Sequence, residues 1–130
     1  MHLNIGGREL SSLYITKFTP KIELLDGEGT GRTKADLWDM IRQPQGYILN
    51  FTVEIAPTLS TNQDFQHLYN TCLSLGSREF VSVSFIDPAG NPINQEMYYT
   101  LDGIDFTWVE NGKIKTGPIR ANFIAKRGTR

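Results

Sequence analysis

The chain has 130 residues, 39% of them hydrophobic and 21% charged, with a net charge of −1 and a pI near 6.1. Those values fit one ordinary soluble globular domain, residues 1–130, with a modest core. They exclude a field strong enough to hold nucleic acid by phosphate neutralisation, so no sequence-specific nucleic-acid partner is expected. Cys72 is the one cysteine, which excludes an intrachain disulfide and a cysteine-based zinc cluster. No secretory signal and no apolar run of membrane-spanning length is visible, so the chain is expected to be made and folded in a reducing cytoplasm, or to assemble from there.

In chain order, Leu3–Leu10 reads as a short strand, a Gly6-Gly7 turn and a continuation. Leu13–Phe18 has strand composition, and Pro20 interrupts it or marks an edge. Lys21–Leu25 extends that strand or begins another. Residues 26–42 form an extended loop or arm. Gly27, Gly29 and Gly31 have no side chains to pack, and ordering them costs much entropy. Ala35–Arg42 reads as one or two helical turns or as part of the irregular arm, ended by Pro44 and Gly46. Tyr47–Ala56 is the clearest strand, with Tyr47, Leu49, Phe51, Val53 and Ile55 on one face. A helix is expected over Asn62–Leu75, capped by Ser60 or Thr61 and stopped by Gly76. Its apolar stripe is Phe65, Leu68, Tyr69, Cys72, Leu73 and Leu75. Strands follow at Arg78–Ile86, Glu96–Leu101, Ile104–Glu110 and Lys113–Ala125, with turns at Asp87–Asn91 and Asn111-Gly112 and a bend at Gly117-Pro118. The expected fold class is α+β, mostly β: an antiparallel β-sandwich or partly closed barrel with one flanking α-helix and a long glycine-rich loop.

The glycine loop invites a phosphate-binding reading. A P-loop needs its glycines five apart and a lysine after the second. Here Gly27 stands four before Gly31, and Arg32 takes the lysine position. A dinucleotide fingerprint lacks its third glycine, and Glu28 would set a negative charge among phosphates. No cofactor is therefore expected. Asp36 with Asp39, and Asp102 with Asp105, are acid pairs without a sugar cleft to serve. His2 is terminal, His67 falls on the polar side of the helix, and Cys72 falls on its apolar stripe as a structural thiol. The expected catalytic set is empty, as is the metal set, and the expectation is no enzyme. Tyr98, Tyr99 and Trp108 give an alternative, a monomeric ligand-binding β-module for carbohydrate, although such aromatics serve cores and interfaces equally well.

Two stretches carry a resemblance. Asp26–Gly46, DGEGTGRTKADLWDMIRQPQG, runs an acidic glycine-containing segment into Gly31-Arg32, then a polar stretch ending in Met40-x-Arg42 and then Gly46. The second is the layout of helix, strand ending in Asp87-Pro88, and a last strand pair split by Asn111-Gly112. Together these resemble small structural proteins of the tail module of phages and prophages of Gram-positive bacteria, the tail-tube-like, tube-end and baseplate proteins. Leu37 and Trp38 make the stretch after Arg32 more apolar than that pattern. The resemblance implies a virion tail component, made in the host cytoplasm. Its expected partners are itself, as a ring that in such proteins is often a hexamer, and other tail proteins. The arm, 27–41, would order on assembly. Its expected interface residues are Gly29, Gly31, Arg32, Leu37, Trp38, Met40, Ile41 and Arg42, with Gly29 and Gly31 letting the arm bend, Arg32 bonding a partner acid or carbonyl and Trp38 among the apolar anchors. The exposed face of Tyr47–Ala56 is expected to pair or pack across subunits.

Overall fold

The computed structural model describes residues 3–26, 31–32, 40–42 and 44–129. The strands are β1 (Asn4–Ile5), β2 (Arg8–Glu9), β3 (Ile15–Asp26), β4 (Gly31–Arg32), β5 (Met40–Ile41), β6 (Pro44–Ile55), β7 (Val81–Ile86), β8 (Pro92–Asp102), β9 (Phe106–Trp108), β10 (Ile114–Thr116) and β11 (Ile119–Ala125). One helix, α1 (Gln63–Ser74), stands between β6 and β7. Seven strands make one sheet in the order β2-β1-β7-β8-β11-β6-β3, and its pairings are antiparallel. The pairs β9-β10 and β4-β5 are separate two-stranded ladders.

The sheet curls. Phe18 on β3 and Phe85 on β7 are four strand steps apart, about 19 Å in a flat sheet at the usual strand spacing. Their rings are 5.5 Å apart. Phe51 closes the gap, stacking on Phe123 at 4.9 Å and meeting Phe85 edge-on at 4.9 Å and Phe18 at 5.3 Å. The expected mostly-β class with a flanking helix therefore holds, in the form of a partly closed sheet. Alternation along β6 puts Phe51, Val53 and Ile55 in the core, as the sequence pattern predicts. Val81, Val83, Met97, Tyr99, Ile119, Ala121 and Phe123 share that concave face.

Helix α1 closes the concave side. Its cap is Asn62, not Ser60 or Thr61: the Asn62 side chain accepts from the Asp64 and Phe65 amides at 2.8 and 3.3 Å. Phe65 and Leu68 are buried, and Cys72 and Leu75 pack at the core's margin. Tyr69 and Leu73, expected on the stripe, flank it instead, and Leu73 is 64% exposed. The concave face covers only the row at 65, 68, 72 and 75. His67 is not left to solvent on a polar side: its Nε2 lies 2.8 Å from the Ile5 carbonyl.

The turns follow their residues. Gly6 and Gly7 take φ of 59° and 87° in a two-residue turn that pairs Ile5 with Arg8. Asn111 and Gly112 take φ of 68° and 70° between β9 and β10. Gly117-Pro118 divides what sequence alone reads as one last strand. β10 leaves to pair with β9, while β11 enters the main sheet between β8 and β6. The convex face is polar: Thr52 donates to Asn122 at 2.8 Å, Asn122 donates to Asp102 at 3.0 Å, and Asn50 accepts from the Ala125 amide at 2.8 Å.

Candidate assembly surface

β3 and β6 form a hairpin of two twelve-residue strands, paired from Ile15↔Ile55 to Asp26↔Pro44 with register shifts between Ile15 and Lys17 and between Leu25 and Asp26. At about 3.3 Å per residue each strand spans roughly 40 Å. The rest of the sheet is shorter. β11 pairs with β6 only as far as Phe123↔Phe51, so residues 44–50 and their partners on β3 project beyond that ladder. The projection continues outward. Gly31 pairs with Ile41 and Arg32 with Met40, which makes β4 and β5 a second ladder on the same hairpin. Gly31–Arg32 and Met40–Ile41 are strand, so the helical alternative for Ala35–Arg42 does not hold at Met40–Ile41; residues 27–30 and 33–39 lie outside the described residues.

β3 is the last strand of the sheet. The free edge is therefore this strand. β6, expected to pair across subunits, is flanked by β3 and β11 and has no open edge along its sheet-paired half. On the projecting half, Ile22 and Leu24 are 63% and 58% exposed. They share a face, being two apart, and sit opposite Leu49 and Tyr47. That face continues the concave side past the end of the core, where α1 no longer covers it. An exposed apolar row beside an open row of backbone donors and acceptors has the chemistry that strand pairing uses. The same strand carries the features that restrain unspecific pairing: Pro20 removes one donor, Lys17, Lys21 and Glu23 add charge, and the register breaks between Ile15 and Lys17.

Arg42 is one of the expected interface residues. It is tied within the hairpin, with Nη2 2.7 Å and Nε 3.1 Å from Asp26 Oδ1. Both groups are partly solvated, so this bridge contributes at most about 1 kcal/mol. Its effect is positional: it joins the two branches where β3 gives way to the arm. Among the other expected arm residues, Gly31, Arg32, Met40 and Ile41 are brought together in the β4-β5 ladder. Gly29, Leu37 and Trp38 lie outside the described residues.

The aromatics of the alternative ligand site do not converge. Tyr98 and Tyr99 are neighbours on β8 and so face opposite sides. Tyr99 is buried, and its hydroxyl donates to the Leu68 carbonyl at 2.6 Å. Burial also pushes its pKa up. Tyr99 is thus a core residue, which corrects its place in a binding platform. Tyr98 is on the convex face beside Phe80, with ring centroids 6.2 Å apart. Trp108 is 75% exposed on the β9-β10 hairpin, where its neighbour Phe106 meets Phe65 edge-on at 6.3 Å.

The Cys72 thiol contacts the Tyr99 carbonyl at 3.4 Å, and burial raises its pKa, which disfavours the thiolate. Asp64, buried in the first turn of α1, accepts from the Ser12 amide at 3.0 Å, from the Ser12 hydroxyl, and from Arg8 Nε at 3.1 Å. Hydrogen bonds from Ser12 are the main cause of its lowered pKa, with burial opposing and Arg8 assisting. Sequence reading missed this tether, because Arg8 and Ser12 meet Asp64 only through the fold. Among the described residues no cluster of three or more His, Cys, Asp or Glu side chains is placed to hold a metal, and no helix is long and apolar enough to cross a membrane. Comparison with protein-family models, curated proteins and solved structures finds no match.

Proposed function

We propose that this chain is a structural subunit of a phage tail or tail-like particle. It associates with copies of itself, as a ring, or bridges other tail proteins through the β3 edge and the 27–41 arm. The observation that carries the reading is the projecting half of the β3-β6 hairpin, with an open strand edge and the exposed pair Ile22 and Leu24. The opposite end of the sheet supports it. β2 has only two residues, and β1 pairs with β7 no further than Ser84, so Phe85 and Ile86 lie beyond that pairing. A groove of about 630 Å³ lies there, lined by Asn4, Glu9 and residues 84–88. Two unlike surfaces at opposite ends of one sheet suit head-to-tail association, which closes into rings when the rotation allows.

Light scattering across a concentration series tests the reading. The unaltered chain should gain mass with concentration. Ile22→Lys with Leu24→Lys should abolish that gain, since two charges would face any pairing strand, and deletion of residues 27–40 should weaken or abolish it. A chain that stays monomeric at every concentration, alone and mixed with tail-particle extract, would refute the proposal.

A further inference from the structure

β11 does not end the chain's pairing with β6. After Ala125 three residues leave the ladder, and Thr129 returns to it. The Tyr47 amide donates to the Thr129 carbonyl at 2.8 Å, and the Thr129 amide donates to the Tyr47 carbonyl at 2.6 Å. The start of this excursion is pinned elsewhere. The Lys126 amide donates to the Glu96 carbonyl at 3.0 Å, its ammonium lies 3.2 Å from the Glu96 carboxylate, and it sits 5.2 Å from the centre of the Phe80 ring. Between the two anchors, Gly128 presses on the root of the arm. A Cβ there would lie 2.6 Å from Leu25 Cδ1, 3.1 Å from the Tyr47 carbonyl oxygen and 3.6 Å from Ile48 Cγ1. Leu25 is on β3 and Ile48 on β6, so one segment spans both strands of the hairpin. The Asp26–Arg42 bridge lies at the next step outward.

We propose that residues 126–129 are a latch that holds the direction of the arm. It fastens the projecting half of the β3-β6 hairpin to β8 at Tyr47, one alternation step outward from the point where Gln95 of β8 donates to the Leu49 carbonyl at 2.9 Å. Glycine suits 128 for closeness, not for backbone freedom, since any Cβ there would have to displace Leu25 and crowd the Tyr47 carbonyl. The Leu25 side chain can move aside, but the Tyr47 carbonyl is backbone held by its own ladder. The hold is reversible by construction, since at its far end it rests on a single two-bond bridge at an exposed residue. This inference concerns the free chain and does not depend on the assembly reading.

The Tyr47 amide reports the latch, because its hydrogen bond goes to Thr129. Hydrogen exchange read by NMR should show that amide exchanging about tenfold or more faster in Gly128→Val, with the Val53 amide in the core unchanged. Unchanged exchange at Tyr47 in a folded Gly128→Val chain would overturn the proposal. Should that variant lose protection at Val53 as well, Thr129→Pro, which removes the donor to Tyr47 without adding bulk at 128, carries the same two outcomes.

Discussion

Phe51→Ala should cost about 3–5 kcal/mol, a large share of the 5–15 kcal/mol that stabilises a typical domain. The ring is central to the curl of the sheet. It stacks on Phe123 within 4.9 Å and meets Phe85 at 4.9 Å and Phe18 at 5.3 Å, and it is 2% exposed. Three facing aromatic rings and the strand ladders limit how far the site can collapse, so the cavity term stays large. The loss also has a direction. Phe18 holds the edge strand to the core, and without Phe51 its remaining aromatic partner is Phe85. A urea midpoint series should show the full drop, and exchange at β3 amides should rise before exchange at β8. A variant within 1 kcal/mol of the parent would mean that the sheet is held closed by something other than this cluster.

Asp64→Asn should cost about 2–3 kcal/mol at neutral pH, because a charge-assisted acceptor for two Ser12 donors and Arg8 becomes a neutral amide with one acceptor. The carboxylate also stands in the first turn of α1, where negative charge is favoured. The effect depends on pH with a definite sign. The folded-state pKa lies below the reference 3.8. A depressed carboxylate stabilises the fold above its unfolded-state pKa, and that contribution fades as pH falls through the folded-state value. The gap in stability between parent and variant should therefore be constant from neutral pH to about 5 and then narrow below about pH 4. Denaturation midpoints of both proteins across that range check this. A gap that keeps its size at pH 2.5 would show that the carboxylate's charge is not what ties the β1-β2 hairpin to the helix.

Much of the fold could be read from residues whose local chemistry decides the outcome alone. The alternation of Phe51, Val53 and Ile55 fixes which face of β6 is buried, and Gly6-Gly7 and Asn111-Gly112 adopt the positive φ that their turns need. The helix was readable in extent to within a residue at each end. Its buried row was not, because the curl of the sheet decides how wide a stripe is covered, and Tyr69 and Leu73 fall outside it. β3 was ambiguous for a similar reason. Pro20 reads locally as an interruption or as the mark of an edge, and the edge reading holds: only one side of an edge strand's backbone must pair, so the strand runs through it. The same fact hid the exposed pair. Ile22 and Leu24 look like ordinary core positions until the length of β3 is set beside the shorter β11. The apolar spacing of Leu37, Trp38, Met40 and Ile41 reads as helical turns or irregular arm, so the strand pairing of Met40–Ile41 was not legible, and the internal Arg42–Asp26 bridge needed the hairpin's register.

In the proposed assembly, copies of the chain or its tail partners pair along the β3 edge. Hydrogen exchange along β3, compared between dilute and concentrated protein, tests it most directly. Amides of residues 17–25 facing away from β6 should exchange freely when dilute and become protected at concentrations where mass increases, while β8, inside the sheet, should change far less along its length. Mass that rises with no added protection on β3 would contradict it and would move the interface to another surface, such as the exposed Trp108 hairpin.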